Sequence, residues 1–164
     1  LLNPDSGLVN SMLAAVGIQG PDWLGNPNTA LPALIAMATW RNFGTGMIIF
    51  LAGLQSVPAV LHEAAALDGA NAWQRFLNVT LPVLRPTILF VAVTTTIGYL
   101  QFFEEPFVMT NQGGPLNVTT SLSLETFKQF GYGNYGVAAA MAYLIFLVIA
   151  IITALQFRFL SRED

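Results

Sequence analysis

AAAMAYLIFLVIAIITALQF, Ala138 to Phe157, is the stretch that decides the fold class of this 164-residue chain. It contains no charged residue over a length that suits a bilayer, since a membrane-spanning α-helix needs about 20 mostly apolar residues. Across the whole chain, 54% of the residues are hydrophobic and only 9% are charged. A soluble domain carries about 25% charged residues, so the composition predicts an integral membrane protein.

Two further segments are apolar enough to cross a bilayer. One covers about 30–54 and contains a single charge, Arg41; the other covers about 83–103 and is free of charge from Pro86 to Phe103. With a third span at 136–158, the sequence predicts an all-α membrane protein with three transmembrane helices. Buried helices of a large soluble protein are the alternative, but three such lengths with so few charges rarely share a soluble domain.

The residues that metal and catalytic sites need are scarce in this sequence. There is no cysteine and a single histidine, His62, so we expect no transition-metal site. The lysine loop of nucleotide-binding ATPases is missing, and no serine–histidine–acid set is visible. Because the net charge is −3 and no basic stripe occurs, we expect no nucleic-acid partner. We therefore expect neither catalytic residues nor a cofactor in this chain.

Arginines set the predicted orientation, because lysine and arginine are enriched in cytoplasmic loops. Arg75 lies between the first two spans and Arg85 at the start of the second, whereas Arg158 lies at the end of the third span and Arg162 after it. They predict a cytoplasmic loop at 55–82 and a cytoplasmic tail at 159–164. The predicted external loops are 1–28 and 104–135, where proline, glycine and asparagine supply many turn signals.

The cytoplasmic loop contains LHEAAALDGANAWQRFLNVTLP, Leu61 to Pro82. Three consecutive alanines favour a first helix, and Gly69 can take the left-handed conformation that ends it. Asn71 with Gln74 three residues on predicts a capping box, which begins a second short helix over 72–79. We expect an ordered helix–turn–helix that either docks in a groove on a partner or packs against its own bundle.

The same stretch resembles the EAA motif of permease subunits in binding-protein-dependent ABC importers. The matching residues are Glu63, Ala64, Ala65, Asp68, Gly69, Ala70, Leu81 and Pro82. In addition, Thr110 with Gly113-Gly114-Pro115 is similar to the TxGGP element of carbohydrate permeases of the maltose and glycerol-phosphate type. The resemblance covers nearly the whole chain, which looks like the C-terminal half of a permease with about six spans.

The resemblance implies transport of a sugar or sugar derivative by alternating access, not catalysis. It implies that the EAA residues, on a cytoplasmic coupling helix, contact ABC ATPase subunits, which bind the ATP and magnesium. The other implied partners are a second permease subunit, an external solute-binding protein and the lipid of a bacterial or archaeal inner membrane. Two alternatives stay open: an intramembrane enzyme working through Glu104, Glu105 and Arg41, and a structural membrane subunit without a path.

Polar residues inside or at the end of the spans are the candidates for a substrate path. They are Trp40, Arg41, Thr96, Tyr99, Gln101 and Glu104. Ionisable residues in spans are costly and usually face protein or water. Arg41 therefore lines the path, extends to the membrane interface, or pairs with an acid in a part of the protein outside this chain. The uncharged polar side chains of the second span bind a polyol or hydrogen-bond neighbouring helices.

Overall fold

The computed structural model describes residues 1–160, and all the regular secondary structure in that range is helical. The α-helices are α1 (Leu8–Ala15), α2 (Pro27–Gln55), α3 (Ala59–Leu67), α4 (Ala72–Arg75), α5 (Leu81–Val83), α6 (Arg85–Leu100), α7 (Glu104–Met109), α8 (Leu122–Gly131) and α9 (Tyr135–Leu160). A π-helical turn, Phe76–Thr80, joins α4 to α5, and a 3₁₀ turn covers Pro115–Asn117. The predicted tail from 161 onward, with Arg162, lies outside the described residues.

Three segments of the described chain are long and apolar enough to cross a membrane: Pro27–Gln55, Arg85–Met109 and Tyr135–Phe159. This confirms the all-α class and the three predicted spans. The second segment is interrupted between α6 and α7, where Phe103 has a non-helical backbone with φ −138° and ψ −49°. Few side chains of the three segments are buried within the chain, so most of their apolar surface is available to lipid or further helices.

Two segments predicted as irregular loops contain helices. In segment 1–28 the prolines and glycines flank the sequence LVNSMLAA, which has neither residue and forms α1. In segment 104–135, the turn residues begin only at Asn111, so Glu104–Met109 is free to form α7. Pro106 is the third residue of that helix, within the first turn, where its missing N–H would have no partner inside the helix.

The chain folds as two units by its internal contacts. The first unit contains Leu1–Arg41 and Tyr99–Leu147, and the second contains Asn42–Gly98 and the described residues from Val148 onward. In the first unit, Leu34 of α2 and Leu124 of α8 are fully buried. These two apolar side chains mark its core.

In the second unit, the end of α2 lies close to the beginning of α6. A Cβ added at Gly53 would lie 2.9 Å from the side chains of both Leu84 and Thr87. Such distances are shorter than van der Waals contact, so a larger residue at position 53 would force the Leu84 and Thr87 side chains to shift. Leu84, at the junction of α5 and α6, is 5% exposed. This packing anchors both ends of the segment that contains α3, α4 and α5.

Candidate functional site

The α3 helix ends in a Schellman motif built from residues of the EAA-like pattern. The N–H of Gly69 donates to the carbonyl of Ala66 at 3.1 Å, and the N–H of Ala70 donates to the carbonyl of Ala65 at 2.9 Å. These are the two hydrogen bonds that define the motif. Gly69 has φ +80°, a left-handed conformation that glycine adopts without steric cost. The predicted role of Gly69 in ending the helix is confirmed.

The next helix begins immediately after this cap. The N–H of Gln74 donates to the Asn71 side chain, and the N–H of Asn71 donates to the Gln74 side chain, both at 2.9 Å. This reciprocal pair is the predicted capping box, which satisfies two of the free donors at a helix start. A C-terminal cap and an N-terminal cap thus follow each other with no flexible residue between them, which fixes the turn between α3 and α4.

The second helix differs from its prediction after its first turn. The α-helical geometry stops at Arg75, a π-helical turn follows, and the helix continues to Val83 instead of ending at Val79. Proline has no N–H, and its ring crowds the carbonyl four residues earlier. Pro82 would therefore strain a regular α-helix here, and the wider π turn just before it is a way to relieve that strain.

One face of α3 packs on the π turn and another is open. His62 and Ala65, three residues apart, are half-buried. His62 Nε2 lies 3.5 Å from the hydroxyl oxygen of Thr80, whose side chain is 6% exposed. The exposed residues of the other face are Val60, Glu63, Ala64 and Leu67. Leu67 is 90% exposed, so its side chain is available to a partner.

A pair of exposed aromatic rings adds to the apolar surface of this segment. The rings of Trp73 and Phe76 stack with their centroids 5.6 Å apart. Trp73 is 67% exposed and Phe76 is 40% exposed. Large aromatic side chains left uncovered in this way are typical of protein interfaces. The segment 56–83 therefore has capped helix ends and exposes the apolar side chains of Leu67, Trp73 and Phe76.

In the first unit, Arg41 of α2 meets two acids of α7. Its Nη1 donates a 2.7 Å hydrogen bond to Glu104 Oε2, and its Nη2 lies 3.0 Å from Glu105 Oε1. The second contact is an ion pair without the alignment of a hydrogen bond. The side chain of Glu105 is 7% exposed, against 52% for Arg41 and 74% for Glu104. Arg41 therefore pairs with two acids of this chain.

The other candidate path residues of the first unit do not join this cluster. Trp40 lines a largely apolar cavity of about 440 Å³, together with Trp23 and Met37. Gln101 lines a second cavity, of about 630 Å³, whose other lining residues include Phe127, Phe130 and Tyr135. Tyr99 is 42% exposed. The structure thus brings Arg41 and Glu104 together, whereas Trp40 and Gln101 line two separate cavities.

Thr96 belongs to the second unit and bonds to a neighbouring helix. Gln156 of α9 donates from Nε2 to the Thr96 hydroxyl oxygen at 2.7 Å. This is the helix-to-helix alternative for the polar side chains of the second span. The buried Gln156 Oε1 and Thr153 Oγ1 have no hydrogen-bond partner among residues 1–160. The side chains of Thr153 and Gln156 can therefore form further hydrogen bonds on this face of α9.

The TxGGP-like element forms a tight turn closed by threonines. Thr110, 6% exposed, donates from Oγ1 to the Pro106 carbonyl at 2.9 Å and lies 2.7 Å from Thr119 Oγ1. Gly114 has φ +68°, and a Cβ there would lie 2.9 Å from Thr119 Oγ1. Both the backbone conformation and the space therefore require glycine, and the element has a structural explanation.

Two residues of these contacts were not among the predicted site residues. Glu105 was proposed only for the enzyme alternative, although it is the better buried acid beside Arg41. Gln156 was missed, and the signal for it is an amide in an otherwise apolar helix. Glu105 and Gln156 can each be recognised in the sequence as a polar residue. Their partners, Arg41 and Thr96, lie far away in the chain.

Comparison with known proteins identifies the family. Residues 7–163 match the family described as binding-protein-dependent transport system inner membrane component. The chain belongs to this family. The predicted resemblance is thereby confirmed, and the multi-pass membrane character agrees with the three long apolar helices.

Two relatives with similar sequences are permease proteins whose names include a sugar. The lactose transport system permease protein LacF of Rhizobium radiobacter is 41% identical over 96% of this chain and 54% of its own length. The trehalose/maltose transport system permease protein MalF of Thermococcus litoralis is 36% identical over 91% of this chain and 50% of its own length. The chain spans about half the length of the curated relatives it matches.

A solved structure shares the fold. It is a bacterial ABC transporter involved in the import of the acidic polysaccharide alginate. The superposition has a TM-score of 0.81 and 26% sequence identity, and covers 99% of this chain and 57% of the other. The helical arrangement described above is therefore that of an importer permease chain.

Proposed function

We propose that this chain is part of a permease subunit of an ATP-driven importer that moves a sugar or sugar derivative across a bacterial or archaeal inner membrane. The observation that carries the proposal is α3, a helix whose end is fixed by the Schellman cap and whose exposed face contains Val60, Ala64 and Leu67 beside Glu63. A capped helix with exposed apolar side chains suits the groove of a partner. The partner is an ATPase subunit, which binds ATP and magnesium.

The motif residues divide into two roles in this proposal. Ala65, Gly69 and Ala70 form the cap and so set the direction of the helix. Ala64 and Glu63 lie on the exposed face, where a small alanine lets a partner backbone come close. Asp68 is the C-cap residue of α3, and Leu81 and Pro82 follow the π turn against which α3 packs.

The sugar class and the remaining partners are supported by the comparisons. The relatives described above are named for lactose and for trehalose and maltose. The family name states dependence on a binding protein, which supports an external solute-binding protein as the donor of the solute. Because the chain spans half of such a permease, the path is completed by other helices, and we expect a second permease subunit among its partners.

The proposal also fixes an orientation. Arg75 is the last residue of α4, Arg85 is the first residue of α6, and Arg158 lies near the end of α9. These arginines favour the cytoplasmic side, which places α3 where an ATPase subunit can reach it. The predicted external loops, 1–28 and 104–135, then reduce to residues 1–26 and 110–134, which lie outside the three long apolar segments. Arg41 and Glu104 are our candidates for the solute path, because they are charged, partly exposed and paired within the spans.

The test is assembly and coupling in the complete transporter, the full-length permease with its ATPase. Ala64→Trp adds a large ring to the exposed face of α3, so we expect loss of ATPase co-purification or of solute-stimulated ATP hydrolysis. The matched control is Ala15→Trp, at an exposed alanine at the end of α1. Both variants should insert into the membrane. If Ala64→Trp assembles and couples like the control, α3 is not the docking element.

A further inference from the structure

We propose, resting on the proposed function, that the cluster of Arg41, Glu104 and Glu105 makes the path selective for an uncharged, hydroxyl-bearing solute over an anionic one. In this proposal Glu105 positions the Arg41 guanidinium, and Glu104 is the carboxylate available to the solute. The cluster contains one cation and two acids within 3.0 Å of it. Its formal charge is therefore negative.

An anionic solute gains little from this arrangement. Both terminal nitrogens of Arg41 already contact carboxylates. A carboxylate of the solute would have to displace one of them or approach Glu104 directly. Displacement from Glu105 would leave an acid that is 7% exposed without its cation, which is strongly unfavourable. Approach to Glu104 places like charges side by side, which is unfavourable as well.

An uncharged hydroxyl group can form hydrogen bonds with both Arg41 and Glu104. A guanidinium carries five N–H donors, and only one aligned hydrogen bond from Arg41 to the acids is present. Glu104, 74% exposed, keeps acceptor capacity. A hydroxyl both donates and accepts, so a sugar can bridge the guanidinium and the carboxylate without breaking the ion pairs. The cluster therefore favours polyols over acids.

The division of roles between the two acids follows from burial. Glu105 precedes Pro106, which is fully buried, and both belong to the first turn of α7. This packing holds the Glu105 carboxylate in place, and its ion pair to Arg41 fixes the guanidinium of α2 against α7. Glu104 has no comparable burial. We therefore assign Glu105 as a positioning residue and Glu104 as a specificity residue.

The fold itself does not decide the charge of the solute. The solved transporter with a TM-score of 0.81 is described as an importer of an acidic polysaccharide, whereas LacF and MalF are named for uncharged sugars. Side chains that face the path must therefore make the difference. Arg41 and Glu104 are our candidates for such side chains in this chain.

The experiment is uptake by the complete transporter, with its own solute-binding protein, in proteoliposomes. The probes are lactose and maltose as uncharged sugars and digalacturonate and an alginate disaccharide as acidic ones. We expect uncharged sugars to be carried more than about tenfold faster, since like-charge contacts cost several kcal/mol and each 1.4 kcal/mol is a factor of ten. Glu104→Gln should raise the KM for the uncharged sugar several-fold. It should also reduce the ratio of the uptake rate of uncharged sugars to that of acidic sugars.

Two sets of controls make the outcome decisive. Because the solute-binding protein is the same in all variants, a changed preference reports the permease. Glu125→Gln removes an acid of α8 that accepts from Gln129 and is outside the cluster, and it should change neither KM nor preference. Glu105→Gln should raise KM as well, and Glu105→Asp, which keeps the charge, should restore it in part.

Each result bears on one claim. Wild-type uptake of acidic probes at the rate of uncharged ones overturns the selectivity, and so does an unchanged KM and preference in Glu104→Gln. Equal KM values for wild type, Glu105→Gln and Glu105→Asp overturn the positioning role. No uptake of any probe, with ATP hydrolysis that no sugar stimulates, overturns the proposed sugar transport itself.

Discussion

Replacing Gly69 by valine tests whether the direction of α3 carries the coupling. Gly69 has φ +80°, and a Cβ built there meets nothing within 4 Å. The substitution therefore creates no collision, and its effect is confined to the backbone. A left-handed conformation costs an ordinary residue about 1–2 kcal/mol, and a β-branched residue is especially disfavoured there.

This cost is small beside the total stability of a folded domain, about 5–15 kcal/mol. Gly69→Val should therefore not unfold the permease. It should weaken the two cap hydrogen bonds from Gly69 and Ala70, which end α3, and so shift the population of helix directions about tenfold, since 1.4 kcal/mol is a factor of ten. We expect reduced ATPase co-purification, or hydrolysis that the solute no longer stimulates.

The chain supplies a matched control for the same change. Gly17 ends α1 with φ +78° and open space around its Cβ position. Its N–H donates to the Ala14 carbonyl at 3.0 Å, and the Ile18 N–H donates to the Leu13 carbonyl at 2.9 Å, so the cap is also a Schellman motif. Gly17→Val should lower stability as much as Gly69→Val and leave coupling intact. If both variants lose coupling equally, or neither does, the reasoning about α3 is wrong.

Three further predictions follow from the packing and from the proposed orientation. Gly53→Val should destabilise the permease by about 1–3 kcal/mol, the usual cost of overpacking, measured as a lower midpoint of thermal unfolding in detergent; unchanged stability would refute the close helix contact. Thr96→Val and Gln156→Leu should each cost about 0.6 kcal/mol and leave the KM of uptake unchanged, since the two side chains bond each other; a several-fold KM change in either would place Thr96 in the path. A cysteine at exposed position 112 should react with an impermeant external thiol reagent in intact cells, whereas one at exposed position 72 should not; labelling of position 72 would reverse the orientation.

The spans and the turn of the EAA-like segment were predictable from sequence because their causes are local. Long apolar runs define the spans. A glycine after an alanine-rich helix, followed by Asn71 and Gln74 at capping-box spacing, defines the turn. In both cases the residues that determine the structure are neighbours in the chain. Nothing from a distant segment has to be known.

The remaining features depend on contacts between distant segments. Pairing of Arg41 with α7 joins residues 63 positions apart, and the Thr96–Gln156 bond joins residues 60 apart. Arg41, Glu104 and Thr96 are recognisable in the sequence as polar residues in or near apolar spans, which is a local property. Their partners are not recognisable, because the choice of partner depends on how the helices pack. The predicted second span ends at 103, where the structure breaks between α6 and α7, but the helix α7 that follows was not predicted.

The Schellman caps explain how three helices end, but they do not explain why α3 in particular would couple to a partner. The caps at Gly17, Gly69 and Gly133 have φ values of +78°, +80° and +81°, and each has the same pair of hydrogen bonds. A rigid helix end is therefore common in this chain and is no evidence of coupling by itself. What marks α3 as the candidate for coupling is its place on the proposed cytoplasmic side together with its exposed surface. Leu67 is 90% exposed one turn after the exposed Ala64, at the end of a helix whose other face packs on the π turn. The cap fixes where that apolar surface points, and the surface gives a partner a reason to bind.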